Sequence, residues 1–371
     1  LIRTCARSCR CCAPTSIAGA ASMSFPKTWV DQMLLNWGDR LFHDALRHVR
    51  APRMSRGELQ RDVRRMREQL ARTLRRTPEV MVKITNKASG AQGMGAVRRH
   101  LRYISRNGRV ELEDQDGTTM LGREALDDLT DAWHLGGWGI PEESRRREVF
   151  NVLLSMPPGT DRQAVRNAAR AFAAEEFGDG RRYVFAAHDD EAHPHVHLTV
   201  QVRGSDGKRL NPRKQDLQRW RERFARQLRE HGVEANATHR LARGETRRHP
   251  KQAVVHMVAR GDAPLYWRPE LDDYARLALW DAHAGALEAW QGVAHAMAGS
   301  QSSDDRGLAA VVMDFVQTMP VQHEGPSVER NGRHEQRRRR KPVHAQGLRH
   351  AGRSEGQREL FPDEPDAGVE R

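Results

Sequence analysis

Cysteine is confined to the very start of this sequence. The chain has four cysteines, and all of them (Cys5, Cys9, Cys11 and Cys12) lie within the first twelve residues. Their spacing matches no standard zinc pattern. The rest of the sequence can therefore form neither a disulfide framework nor a cysteine-ligated metal site. This cysteine distribution is typical of proteins that work in a reducing cytoplasm.

Long apolar runs are also absent. No stretch approaches the roughly 20 apolar residues that a membrane-spanning helix needs, and residues 1–22 lack the apolar core of a signal peptide. The chain starts with Leu1, and Met23 offers a more plausible start. We therefore expect residues 1–22 to be a non-native or unstructured extension, and the protein to be soluble with no membrane insertion.

Acidic residues are outnumbered by basic ones. The sequence has 62 Lys and Arg against 49 Asp and Glu, which gives a net charge of +13. A surplus of this size favours a polyanionic partner, and nucleic acid is a better match than a membrane surface. Basic helical segments, above all residues 213–229, are expected to guide a nucleic-acid backbone.

The order of predicted elements favours an α+β fold. The middle of the chain shows no regular strand–helix–strand alternation, and the neighbouring segments 183–188 and 195–202 have the pattern of a β-hairpin. We expect a central, mostly antiparallel sheet with helices packed on one face. A Gly-rich loop is expected through Gly136, Gly137 and Gly139.

The most informative segment contains four histidines within ten residues, namely His188, His193, His195 and His197. Alternate side chains of a strand share a face, so His195 and His197 point the same way, about 7 Å apart. Together they can bind one cation, and His188 at the end of the neighbouring strand is well placed as the third ligand. The alternative is a set of surface histidines on a half-exposed strand. Imidazole ligands suggest a transition metal such as zinc, but the pattern does not decide the metal.

Residues beside these histidines have supporting roles in this interpretation. Asp190 is a candidate acceptor that would orient a ligand imidazole through its second nitrogen. His193 shares the parity of His195 and His197, but it precedes Pro194 at the mouth of the hairpin, where geometry is loose. It is therefore assigned a secondary role.

Tyrosine is scarce, with only four in the chain, and one of them has distinctive neighbours. Tyr103 lies on a predicted helix whose buried stripe is formed by Val97, Leu101 and Ile104. It falls beside Arg99 and Arg106 on the basic side of that helix. Two guanidinium groups would favour the phenolate and hold a phosphate next to it, as a tyrosine nucleophile requires. The alternative is a boundary tyrosine with no chemical role.

These residues resemble the relaxase/mobilisation nuclease family, the MobA-like and T-DNA border endonuclease-like proteins of the HUH group. Residues 100–112 resemble its first motif, whose tyrosine is the nucleophile, here Tyr103. Residues 152–160 resemble the second, whose serine, here Ser155, is associated with DNA contact. The third motif, His-x-Asp-x-x-x-Pro-His-x-His, is matched by His188, Asp190, Pro194, His195 and His197. Gln201 stands where the family often has a supporting Asn.

The resemblance implies an HUH relaxase-like fold and a site-specific single-strand DNA endonuclease and strand transferase. Such an enzyme nicks one strand at a plasmid or integrative-element transfer origin by metal-assisted tyrosine transesterification, for conjugative transfer or mobilisation. It forms a 5′-phosphotyrosyl intermediate. The implied cofactor is one divalent ion, usually magnesium or manganese, with zinc not excluded. The implied partners are single-stranded DNA at the transfer origin, a type IV secretion coupling protein and accessory transfer proteins. The implied location is the bacterial cytoplasm, with passage into a recipient cell while bound to DNA.

The predicted elements and the family resemblance together divide the chain into five regions. The boundaries are an extension at 1–22, an accessory helical region at 23–77, a relaxase nuclease domain at 78–250, a helical region of unknown role at 251–319 and a basic disordered tail at 320–371.

Three other functions remain open at this point. The row His193, His195 and His197 also fits the alternating pattern of histidine-triad nucleotide hydrolases, which need neither a tyrosine nor a strong positive charge. A non-catalytic DNA-binding protein of relaxase descent would keep the fold with an inactive site. A replication initiator of the HUH group differs only in its DNA target.

Overall fold

A computed structural model describes residues 26–42, 56–86, 93–246, 257–258, 260–262 and 272–324. The expectations for residues 1–22 and for the tail beyond Glu324 lie outside the described residues. Among the helices that are described, none is both long and apolar enough to cross a membrane.

The centre of the described structure is a six-stranded sheet in which every pairing is antiparallel. Its strand order is β1-β4-β6-β5-β2-β3. The strands are β1 (Met81–Ile84), β2 (Leu112–Asp114), β3 (Thr119–Met120), β4 (Val149–Ser155), β5 (Tyr183–His188) and β6 (His195–Gln201). The predicted hairpin is β5–β6, and its register pairs His188 with His195. The mixed fold with a mostly antiparallel sheet is confirmed.

One face of the sheet packs on two long helices. Alternate residues of β4 and β6 point to this face and meet aromatic side chains from α5 (Arg162–Phe177) and α6 (Lys214–Glu230). Trp220 and Phe224 of α6 are fully buried there. Asp161 caps the start of α5 by accepting hydrogen bonds from the backbone of Gln163 and Ala164. These helices fix one side of the strands that carry the histidines.

The opposite face is covered over only part of its width. The helices α3 (Met94–Ile104) and α4 (Arg123–Leu135) pack on the β5 side of this face, where Val184 and Ala186 join their core. Toward the β1 edge the same face carries the exposed side chains of Met81 and Lys83. Helices therefore cover this second face as well, whereas its β1 edge is exposed.

The remaining described helices form a separate core. They are α1 (Lys27–Phe42), α2 (Arg56–Leu74), α7 (Asp273–Ala298), α8 (Ser303–Gln317) and α9 (Pro320–Glu324). The described helices of the regions 23–77 and 251–319, which the sequence treats separately, thus share one packed core. Buried hydrogen bonds that join Thr73 of α2 to Asn236 and to Thr238 connect it to the sheet domain.

The predicted tail is wrong at its first residues. Residues 320–324 form α9, and Val321 is buried in the helical core. The Val321 backbone N–H also donates to the carbonyl of Gly244 at 3.0 Å. An apolar side chain in a short polar segment gives no periodic signal, so the sequence alone did not reveal this contact.

Candidate active site

Three predicted ligands meet on the partly covered face of the sheet. The pairing of His188 with His195 places their rings side by side, and His197 follows two residues later on the same face. The ring centroids of His188 and His197 lie 4.6 Å apart, and His195 lies 5.2 Å from each. One ring nitrogen from each residue lies within 4.8 Å of the others.

Backbone carbonyls orient two of these imidazoles. His188 Nε2 lies 2.6 Å from the carbonyl oxygen of Ile104, and His195 Nδ1 lies 3.0 Å from that of His193. Each nitrogen donates its proton to the carbonyl, which leaves the lone pair on His188 Nδ1 and on His195 Nε2. Fixing one ring nitrogen in this way presents the other to a metal ion.

His188 and His197 are also in the protonation state that a metal requires. Burial, followed by the neighbouring histidines, lowers the pKa of His197 to about 3, and burial is the main cause of a lowered pKa at His188. Both therefore stay neutral near pH 7, and neutral imidazole is the ligand form. Nitrogen ligands at about 2.0–2.1 Å from one ion lie at most about 4.2 Å apart. The three residues can close on one divalent ion with small shifts.

Tyr103 lies next to this cluster. It occupies the last turn of α3, and its side chain is 55% exposed while Val97, Leu101 and Ile104 on the same helix are buried, as predicted. The Tyr103 ring lies 5.8 Å from that of His197, edge to face. An accessible phenol beside three imidazoles is the arrangement that the sequence predicted.

Arg106 links the tyrosine to the histidines. Its guanidinium carbon lies 5.1 Å from the centre of the Tyr103 ring, and its Nη2 lies 3.4 Å from His188 Nδ1. The same group forms an ion pair with Asp190. Arg99 lies one helical turn before Tyr103, and no hydrogen bond or ion pair joins it to the triad within the described chain. Of the two predicted arginines, only Arg106 makes direct contacts in the site.

Asp190 has a different partner from the one expected. It does not orient a ligand imidazole; it pairs with Arg106, and that hydrogen bond lowers the pKa of Asp190. The Ile104 carbonyl orients His188 instead. This carbonyl lies in the last turn of α3, where carbonyls lack a helical partner and remain available.

Three other predicted residues do not reach the triad with their side chains. Ser155 is buried, and its hydroxyl donates to the carbonyl of Pro194 at 3.2 Å, so it holds the start of β6. His193 is exposed and contributes only its backbone carbonyl. Gln201 lies four residues beyond His197 on the same strand, about 13 Å along it. The rings that cluster are therefore those of His188, His195 and His197. The histidine-triad hydrolase pattern would instead require the ring of His193.

Two residues near the site were missed in the sequence. The ring of His100 lies 6.4 Å from that of His197, and burial lowers its pKa to about 4. Its Nε2 is buried and has no hydrogen-bond partner among the described residues. Arg162, at the start of α5, donates to Asp189 and to the carbonyl of Glu191, and so holds the loop before β6. His100 lies within the first motif, which was the available signal; nothing in the sequence pointed to Arg162.

The basic face expected on α6 is partly neutralised. Arg219 and Arg223 pair with Glu176 of α5, and Arg226 pairs with Glu175. The Glu176 side chain is itself buried, so these pairs lie between the two helices. Three of the arginines in the segment 213–229 therefore pair with α5 instead of facing an open track for a polyanion.

Comparison with known proteins finds a family match over the segment that carries the histidines. Residues 123–233, under a third of the chain, match the family model "Relaxase: MobA/VirD2-like, nuclease domain". This segment is therefore similar to a relaxase nuclease domain. The matched segment includes His188, His195 and His197, whereas Tyr103 precedes it.

Relaxase relatives are found among T-DNA border endonucleases. The chain is 29% identical over 202 residues to T-DNA border endonuclease VirD2 of Agrobacterium fabrum, covering 50% of this chain and 45% of that protein. It is 28% identical over 184 residues to the VirD2 protein of Rhizobium radiobacter, covering 45% and 43%. The Rhizobium rhizogenes protein is 30% identical over 137 residues, covering 34% and 31%. The chain thus spans less than half the length of each of these relatives.

Proposed function

We propose that this protein is a DNA relaxase that nicks one strand at a transfer origin and remains attached to the cut end through Tyr103. The observation that carries this proposal is the position of an exposed tyrosine beside three clustered histidines. Arg106 bridges the two. A phenol, a metal-binding triad and a guanidinium are together the groups that attack on a phosphodiester needs.

His188, His195 and His197 would hold one divalent ion, which would neutralise charge on the scissile phosphate. The three imidazoles are compatible with zinc, and the family resemblance favours magnesium or manganese. The chain's own contribution to the ion is the orientation of His188 and His195 by backbone carbonyls.

The proposed reaction is a transesterification. The Tyr103 oxygen loses its proton to a base and attacks the phosphorus, the bond from phosphorus to the 3′ oxygen breaks, and that oxygen leaves as a 3′ hydroxyl after taking up a proton. A 5′-phosphotyrosyl bond replaces the phosphodiester. Since one ester replaces another, the strand can be rejoined by the reverse reaction. Arg106 would stabilise the negative charge that develops on the phosphate.

The substrate proposed is a single DNA strand that lies along the exposed β1 side of the sheet face that carries the triad. We place the protein in the bacterial cytoplasm, in conjugative transfer or mobilisation. Accessory transfer proteins and a type IV secretion coupling protein are its proposed partners.

Covalent capture of DNA tests the proposal. Purified protein with manganese or magnesium is incubated with oligonucleotides that tile the transfer-origin region of the element carrying the gene, and adducts are separated on a denaturing gel. Tyr103→Phe should abolish the adduct and leave DNA binding nearly unchanged. The control Tyr274→Phe, which alters a tyrosine that is 81% exposed and outside the sheet domain, should form the adduct normally. Survival of the adduct in Tyr103→Phe would show that another residue is the nucleophile.

A further inference from the structure

The Gly-rich loop after α4 has no role in the proposed reaction, yet it presents an exposed tryptophan. Trp138 is 59% exposed, and it lies between Gly137 and Gly139, which both have positive φ angles. A Cβ on Gly139 would come within 2.7 Å of the His134 carbonyl oxygen, so only glycine fits there. Hydrogen bonds from Ile140 to Trp133 and from His134 to Ile140 close the loop. These contacts fix the loop backbone, and the indole Nε1 of Trp138 donates to the carbonyl of Ser205 at 3.3 Å.

A cavity of about 290 Å³ lies beside this tryptophan. Its volume is at the low end of small-molecule sites, which run from about 300 to 1,000 Å³. Polar and aromatic side chains dominate its lining, namely Trp138, Arg146, Glu148, Gln201, Arg203 and Arg209. The indole offers one flat surface on which a planar group could stack.

The charge of the cavity is positive. Three arginines face one carboxylate, and Glu148 is paired with Arg209 at 3.1 Å. Arg146 and Arg203 form no ion pair with any residue that the structure describes. The Arg203 guanidinium carbon lies 5.1 Å from the centre of the Trp138 ring. Two guanidinium groups beside an aromatic face suit a phosphate attached to a planar base.

Gln201 adds a donor that has no partner. Its Nε2 is buried, and no hydrogen-bond acceptor for it is found in the described part of the chain. Leaving a buried donor unpaired is unfavourable, so an acceptor atom from a ligand would satisfy it. A base carbonyl or ring nitrogen supplies such an atom.

The cavity lies within reach of the cleavage site. Gln201 and His197 are on the same face of β6, four residues apart, which corresponds to about 13 Å along the strand. A DNA strand whose phosphate lies at the histidine triad would place a nearby nucleotide at this cavity.

We propose that the cavity binds one nucleotide of the strand that is cut. Its base stacks on Trp138 and accepts a hydrogen bond from Gln201, and its phosphate binds Arg146 and Arg203. The inference rests on the proposed function, because it assumes that single-stranded DNA occupies the adjoining face. It assigns the Gly-rich loop a part in positioning the strand.

The test measures the affinity of fluorescein-labelled oligothymidylates that shorten from about 16 to about 4 nucleotides, the range of single-strand site sizes. Trp138→Ala removes the stacking surface, and Trp138→Phe keeps a smaller one. Leu135→Ala is the matched control, since Leu135 is 78% exposed, lies three residues earlier and does not line the cavity. Arg203→Gln is measured across a salt series.

Stacking of one base changes affinity by about 5- to 150-fold. Trp138→Ala should therefore bind the long oligonucleotides at least about 5-fold more weakly, and Trp138→Phe should recover most of the loss. The difference should vanish for oligonucleotides too short to reach the cavity. Arg203→Gln should lower the slope of log affinity against log salt by about one. Leu135→Ala should match the unaltered protein.

Two results would overturn the subsite. One is a Trp138→Ala protein that binds like Leu135→Ala, or that loses the same factor at every length. The other is competition by thymidine 5′-monophosphate that depends on Trp138 while strand binding does not, which would indicate a free-nucleotide site. If the unaltered protein forms the Tyr103 adduct, such results refute the proposed subsite and leave the proposed function standing. If it neither binds nor cleaves single-stranded DNA, the proposed function fails, and the subsite fails with it.

Discussion

Arg106 has an unfavourable backbone conformation directly after α3. Replacing this arginine tests why the chain keeps a residue with a Cβ at this position. Its φ is 51°, and Asn107 and Gly108 follow with φ angles of 57° and 83°. The left-handed conformation costs a residue with a Cβ about 1–2 kcal/mol, whereas glycine adopts it freely. Glycine is the common residue at this position after a helix.

The free energies of unfolding of Arg106→Ala and Arg106→Gly separate the backbone from the side chain. Both changes remove the half-exposed ion pair with Asp190, worth about 0–1 kcal/mol, and the contact with the Tyr103 ring, worth about 0.5–1 kcal/mol. Only the change to glycine removes the energetic cost of the left-handed backbone conformation. Arg106→Ala should therefore lose about 0.5–2 kcal/mol. Arg106→Gly should be about 1 kcal/mol more stable than Arg106→Ala, close to the original protein.

The rate of DNA cleavage should depend only on the loss of the Arg106 side chain and not on the backbone conformation. Both variants lack the guanidinium beside Tyr103 and His188, and removing one donor to a developing anion costs about 100- to 1,000-fold in rate. Adduct formation under single-turnover conditions should thus be slowed equally in the two proteins. Urea unfolding on the same preparations gives the stabilities.

Asn107→Gly is the matched control for this experiment. It relieves the next left-handed residue without removing any contact of Arg106, so it should be slightly more stable than the original protein and cleave DNA normally. Equal stability of Arg106→Ala and Arg106→Gly would refute the argument from strain. Normal cleavage by either variant would remove Arg106 from the site.

Two further predictions concern the ligands and the tail. His188→Ala should weaken binding of manganese or zinc at least about 10- to 100-fold in calorimetric titration. His193→Ala should change this affinity little, because only the His193 carbonyl contacts the cluster. A larger loss of affinity in His193→Ala than in His188→Ala would support the histidine-triad arrangement. Removal of residues 326–371 should reduce transfer between cells in a mating assay and leave nicking in vitro intact, since it spares the buried Val321. Equal loss of both activities would show that the tail belongs to the catalytic body.

The sequence predicted the histidine triad well because the information is local. Residues 183–188 form β5 as expected, and the alternation along β6 placed His195 and His197 on one face. A short hairpin leaves little freedom in register, so His188 had to lie close to them. Tyr103 was placed correctly for the same reason, through the helical period of α3.

Predictions that depended on distant partners were less successful. Asp190 pairs with Arg106, 84 positions away in sequence, because the left-handed turn after α3 directs that arginine toward it. The arginines of α6 counted as positive charge in the sequence, but Glu175 and Glu176 from α5 neutralise three of them. The periodicity of one segment does not indicate which side chains of a distant segment will contact it.

The same alternation on β6 builds both the core and the site. Val196, Leu198 and Val200 are buried against α5 and α6, and the alternating residues His195, His197, Thr199 and Gln201 face the other way. A slip of one residue would turn the three apolar side chains to the face of the triad and direct the histidines into the core, so core packing excludes it. The hydrophobic core thereby fixes the register that aligns His195 with His188. The geometry of the triad therefore depends on residues that never contact it.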